Sequence, residues 1–119
     1  MLPAGHRLAD AESFRTVIRS GRRAGSRTLV VHLADPGDQP DSGAGPRVGL
    51  VVSKAVGNAV TRNRVQRRLR HLAREQLSSL PGSTALVIRA LPDAANADSA
   101  ELRTDLDRCL QRVLRGESA

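Results

Sequence analysis

Between Lys54 and Arg74 the chain carries seven Lys/Arg residues and no Asp or Glu, which matches the net charge of +7 of the whole 119-residue sequence. Six of the seven are arginine, whose planar guanidinium fork suits bidentate contact with phosphate and stacking on bases. Most charge runs are solvated helix faces, but such faces usually mix signs to gain i,i+4 pairs. This run has almost no acidic partner, so its chemistry is neutralisation by a polyanion. Acid–base or metal chemistry by side chains needs a histidine pair or clustered carboxylates. His6, His32 and His71 fall in a tail, a strand and the basic run, and the expectation is of no HxxxH or DxD-type spacing, no P-loop and no GxSxG. No catalytic residue and no metal-ligating cluster is expected. Cys109 is the only cysteine. It can form no intrachain disulfide, and its place in an apolar helical stripe makes it a small core hydrophobe.

The basic run must ride on a helix. From Asn58 onward, Val65, Leu69, Leu72, Ala73 and Leu80 fall on one stripe of a 3.6-residue period. Arg64, Arg67, Arg70, His71 and Arg74 point away from the stripe, and Arg62 lies near its edge. Asn58 is the expected N-cap, with Gly57 supplying the backbone angles of a tight turn before it.

Upstream, residues 1–9 form an extended lead-in. A first helix starts near Asp10, presents Phe14, Val17 and Ile18 on one side, and ends at Gly21. Gly21–Arg27 is expected to be a basic loop, either a surface segment or a flexible phosphate contact. Thr28–Ala34 and Arg47–Val52 are β-rich and are predicted to pair as a hairpin across a Pro-, Gly- and Asp-rich loop at about 35–46. Leu80-Pro81-Gly82 breaks the helical period, and Thr84–Ala90 is a strand apolar enough to be central. Asp98 with Glu101 then makes a capping box, and Leu102, Leu106, Cys109, Leu110, Val113 and Leu114 define a last helix, with a frayed tail at about 116–119. The predicted fold is a single α+β domain over residues 1–119, an α-β-β-α-β-α sandwich with a small mixed sheet.

Phe14 is the only aromatic residue, so the core must be aliphatic. A basic helix without Trp or Phe anchors, and apolar runs too short to span a bilayer, argue against a membrane partner. Met1–Ala9 lacks the apolar segment of a signal peptide, so the expected location is cytoplasmic. Nucleic acid is the expected partner of a small basic domain, and no small-molecule substrate is indicated.

Ser53-Lys54, Val56-Gly57-Asn58-Ala59-Val60, Arg62-Asn63-Arg64 and Arg67-Arg68 together resemble the signature of the protein subunit of bacterial ribonuclease P. Arg7-Leu8, Phe14, Val17 and Gly21 are similar to that family's first helix, and Val48-Gly49-Leu50 to the strand entering the signature. The resemblance implies a left-handed β-α-β crossover, as in the second domain of a small-subunit ribosomal protein, where the general rule gives a right-handed one. It implies that RNA and Mg²⁺, the ion held mainly by the RNA, perform the hydrolysis that removes the 5′ leader of precursor tRNA. Lys54, Asn58, Arg62, Asn63, Arg64, Arg67 and Arg68, with Arg70 and His71 on the same face, would then meet the ribonuclease P RNA. Asn58 has an alternative role as a cap, and Arg62 as a structural residue.

A cleft between the first helix and the sheet would hold the leader. There Phe14 either stacks on a base or is an ordinary core residue, and His32 either stacks or is a solvated strand residue. Ile18 stands where relatives often carry an aromatic. Ala55 and Gln66 replace cations common in the family and lower the charge available to RNA. The same basic helix also suits a ribosomal or structured-RNA-binding module without a leader cleft. A DNA-binding helix-turn-helix fits poorly, because strands precede the basic helix.

Overall fold

The computed structural model describes residues 11–34, 46–80 and 84–115. The predicted lead-in, the loop residues 35–45, Pro81-Gly82 and the tail at 116–119 lie outside them.

Helix α1 (Ala11–Ser20) is followed by β1 (Arg22–Gly25), β2 (Leu29–Ala34), β3 (Arg47–Val51), α2 (Ala59–Gln76), β4 (Ala85–Ala90) and α3 (Ser99–Leu114). The strands form one mixed sheet in the order β1-β2-β4-β3. β4, the most continuously apolar strand, takes the interior place expected of it, between β2 (antiparallel) and β3 (parallel).

Two expectations fail here. β2 and β3 are not a hairpin pair, because β4 lies between them and pairs with both. The basic segment after α1 is not a loop, because β1 pairs antiparallel with β2, Ala24 opposite Val31. Strand formation there rests on two residues that carry no β-propensity signal. Gly21 lets the chain turn tightly out of α1, since a Cβ at that position would come within 2.5 Å of the Val17 carbonyl oxygen and 2.8 Å of that of Leu33. Ala24, fully buried, gives β1 its core contact. Arg22 then donates from Nε to the Val113 carbonyl at 2.7 Å, fastening β1 to α3.

Alternation along the strands sends side chains to two faces. Leu29, Val31, Leu33, Val48, Leu86 and Ile88 meet Val65, Leu69, Leu72 and Ala73 of α2 and Leu102, Leu106, Cys109, Leu110 and Val113 of α3 in one aliphatic core. Across the sheet, Val17 of α1 packs with Ala34, Ala85 and Val87, with Phe14 and Val51 against them. Each fully buried Leu or Val contributes about 1.5–3 kcal/mol of transfer free energy, so the two faces together fix how α1 and α2 flank β3. The stripe predicted on α2 is the buried one, although the helix ends at Gln76 and Leu80 reaches the core from the turn beyond.

The predicted N-caps of α2 and α3 are present, while Asp10, the expected N-cap of the first helix, lies outside the described residues. The Asn58 side chain accepts from the Thr61 N–H at 2.9 Å, and that of Asp98 from the Glu101 N–H at 2.8 Å. The Glu101 carboxylate is engaged by Arg27, so the β1–β2 turn is tied to the start of α3. Replacing Asn58 by Ala should cost about 1 kcal/mol, read as a lower urea midpoint, and Asn58→Asp should recover most of it. Recovery with Asp separates the capping role from any role in ligand contact, where a carboxylate would repel an anion.

Candidate nucleic-acid interface

The turn into α2 begins at Lys54 and ends at Gly57, whose φ of 155° is a backbone angle L side chains rarely adopt. From there the helix presents Asn58, Asn63, Arg64, Arg67 and His71 exposed, with Arg62, Arg68 and Arg70 half-buried. The exposed members of this set lie on the outer side of α2, away from the buried stripe. The roles of the cations differ. Arg64 donates from Nη2 to the Ala95 carbonyl at 2.9 Å and Arg68 from Nη1 to that of Ala97 at 2.8 Å, bolting α2 to the segment that leads into α3. Each guanidinium has five donors, so the remaining N–H groups are still available to an anion. Arg62 is partly inside, with a buried Nε that has no hydrogen-bond partner, in keeping with its place at the edge of the apolar stripe.

On the flank of α2 toward α1 lies an open cleft of about 600 Å³, lined by Phe14, Arg15, Ile18, Leu50, Val51, Val52 and Gln66. Phe14 and Ile18 therefore come together as expected, on one wall of a cleft between α1 and the edge of the sheet. Phe14 is only half-buried, with part of its ring packed on the small core and part open to the cleft.

His32 does not join them. It is 3 % exposed, and neither ring nitrogen has a hydrogen-bond partner. Both expectations for it, base stacking and solvation, are thus corrected. The cause is the unforeseen β1, which makes β2 an interior strand, together with α1 above it. Register places His32 between Arg23 and Val87. Burial, then the charges of Arg89 and Arg23, lower its pKa from 6.5. The folded chain therefore holds a neutral imidazole while the unfolded chain protonates first as pH falls. Stability should be full above pH 6.5 and decline below it, down to the lowered folded value. In His32→Phe the drop in urea midpoint between neutral pH and about pH 5 should shrink relative to the parent. An equal drop in both would remove His32 as its source.

Other site residues carried weaker sequence signals. Gln66 reads only as a lost cation, yet it lines the cleft; its position, one residue past the buried Val65, is the flank of the apolar stripe. Arg89 is exposed on the otherwise buried β4 and stands beside Val51 by register. Asp105-Leu106-Asp107 does have the spacing of an acidic pair, contrary to expectation. Residues two apart on a helix point about 200° from each other, and these carboxylates accept from Thr28 Oγ1 at 2.5 Å and Gln76 Nε2 at 2.6 Å. They tie elements together. No group of three or more His, Cys, Asp or Glu residues that could hold a metal occurs among the described residues. Cys109 is buried, and burial pushes its thiol pKa up, away from nucleophilic reactivity.

A sequence model of the ribonuclease P family matches residues 2–114. The chain is 65% identical over 113 residues to a ribonuclease P protein component of Nocardioides sp., covering 95% of both chains. It is 53% identical to one from Streptomyces bikiniensis, over 98% of each. Its fold is similar to the ribonuclease P protein structures of Staphylococcus aureus, with a TM-score of 0.76, 23% identity and 89% and 93% of the two chains covered. That of Thermotoga maritima gives 0.75, 22%, 90% and 99%.

Proposed function

The chain belongs to the ribonuclease P protein family, and on that premise we propose that it binds the catalytic RNA through α2 and the 5′ leader of precursor tRNA in the cleft beside it. In doing so it assists the endonucleolytic cut that leaves the mature tRNA 5′ end. One observation carries this reading: α2 is shared. One flank supplies Gln66 to the cleft, while its outer face presents Arg67 and His71. A single rigid helix can therefore hold a single-stranded leader next to a structured RNA.

Its physical task is electrostatic. Two polyanions must approach, and cations placed between them replace condensed counterions, which lowers the Mg²⁺ needed for assembly. The cationic face offers Mg²⁺ no cluster of oxygen ligands, so in this reading the ion is held by the RNA. The chemistry belongs to the RNA and its ions, with no protein residue in a catalytic role. The cytoplasm is the setting this implies; no helix among the described residues is long and apolar enough to cross a membrane.

The test is cleavage of a 5′-labelled precursor tRNA at low Mg²⁺ by a bacterial ribonuclease P RNA, with and without this chain. The protein alone should cut nothing, and together they should cut faster at the mature 5′ end than the RNA alone. Binding without stimulation would instead support a general structured-RNA module, and cleavage by the protein alone would overturn the assignment of chemistry to RNA.

A further inference from the structure

On the flank of α2 away from the cleft, a recess of about 260 Å³ opens between α2 and α3, lined by Arg67, Arg68, His71, Leu72, Ser99 and Arg103. We propose that this recess is a phosphate site, which seats a backbone phosphate of the RNA that α2 binds and so carries the RNA interface onto α3. The proposal rests on the RNA-binding reading above and adds to it Ser99 and Arg103, which lie on a helix outside the basic run.

Three guanidinium groups, an imidazole and a hydroxyl converge there, and no carboxylate is among the lining residues. Glu75 on α2 and Asp98, the residue before Ser99, are already engaged. Glu75 lies 3.1 Å from Arg103 and 3.4 Å from His71, and Asp98 accepts the Glu101 N–H. These contacts also hold the cations still. Arg68 is fixed by the Ala97 carbonyl and Arg103 by Glu75, so fewer side-chain rotamers remain to be frozen when an anion binds. Ser99 is the first residue of a 16-residue helix, where the end of the helix dipole favours negative charge. Leu72, 2 % exposed, closes the floor.

The lining favours a phosphate over a nucleobase as the occupant. Its one ring, the His71 imidazole, is engaged at its edge by Glu75, whereas three forked guanidinium groups match the oxygens of a phosphodiester. An acidic peptide is the competing occupant, and an unchanged salt slope for RNA binding in Arg103→Gln would leave the recess to it.

The first readout is binding to a bacterial ribonuclease P RNA across a salt series. Arg103→Gln should weaken binding about tenfold at moderate salt and lower the slope of log K against log salt by about 1. Arg108→Gln, exposed on the same helix outside the recess, should change neither. Glu75→Gln, which removes the carboxylate but keeps Arg103 and His71, should bind as tightly as the parent or more tightly. If Glu75→Gln weakens binding as much as Arg103→Gln does, Arg103 acts by holding the helices together and the proposal is overturned. An unchanged slope in Arg103→Gln, with parental binding intact, overturns it too and leaves the function assigned above standing.

The second readout needs no RNA. Titration with inorganic phosphate should give saturable NMR shifts at the Ser99 amide and the Arg67 and Arg103 Nε–H, lost in Arg103→Gln. Should the parent chain fail to bind the RNA, the RNA-binding reading falls and the RNA as occupant with it. Saturation by phosphate would then retain the recess as an anion site, and no saturation would remove it.

Discussion

Raising the salt from 50 to 200 mM is expected to weaken binding of this chain to a ribonuclease P RNA roughly 500-fold, a slope of about −4 to −5 in log K against log salt. The figure follows from six cations of the α2 surface, Lys54, Arg62, Arg64, Arg67, Arg68 and Arg70, each displacing about one counterion from the RNA. Their placement makes the effect steep. They lie on one helix and the turn before it, and no Asp or Glu falls between Lys54 and Arg74 to neutralise them internally. Electrophoretic or filter binding at several salt concentrations measures the slope directly. Arg67→Gln with Arg70→Gln should reduce it by about 2. Arg64 and Arg68 are poorer choices for this experiment, because each also donates to a backbone carbonyl of the segment before α3. Their loss would mix helix docking with RNA contact. A parental slope near −1 would mean that the cationic face is solvated and that affinity comes from elsewhere.

The difference between Arg67 and Arg68 shows where sequence reasoning reaches its limit. Helical periodicity separates the buried stripe from the cationic face, because apolar and charged residues differ by several kcal/mol in their cost of burial. It correctly placed Val65, Leu69, Leu72 and Ala73 inside and found the N-caps of α2 and α3, whose signals are local. It could not tell which guanidinium is anchored, since the partners are carbonyl groups of Ala95 and Ala97, and a carbonyl exists at every position. Strand β1 was missed for a similar reason. Arg-Arg-Ala-Gly has no β-branched or aromatic residue, and it becomes a strand because Gly21 permits a close turn and β2 offers an unpaired edge. That omission propagated to His32, whose burial depends on β1. Strand pairing failed on range: the contest between β3 and β4 for the edge of β2 is decided by the whole sheet. The cleft was legible in outline through Phe14 and Ile18, while Gln66 was visible only as a departure from a family pattern.

Truncating Phe14 to Ala is expected to reduce the preference for precursor over mature tRNA by roughly 5- to 150-fold. Stacking one base on an aromatic ring contributes about 1–3 kcal/mol, and Phe14 is the only ring among the residues lining the cleft. With Ile18, 37 % exposed, opposite no other aromatic, the cleft has one stacking platform, so the loss is not shared with a neighbour. The ring is also half-buried against the small core, so the same change costs stability. Measuring both tRNAs separates the two effects. A folding defect weakens precursor and mature forms together, whereas loss of stacking weakens only the substrate that carries a leader. Phe14→Leu sharpens the comparison, because it restores apolar volume without a π-face. If Phe14→Leu regains stability but not the preference for precursor, the ring acts on the leader. If Phe14→Ala leaves the preference intact, Phe14 is a core residue alone and the leader is held by Gln66 and the cations around the cleft.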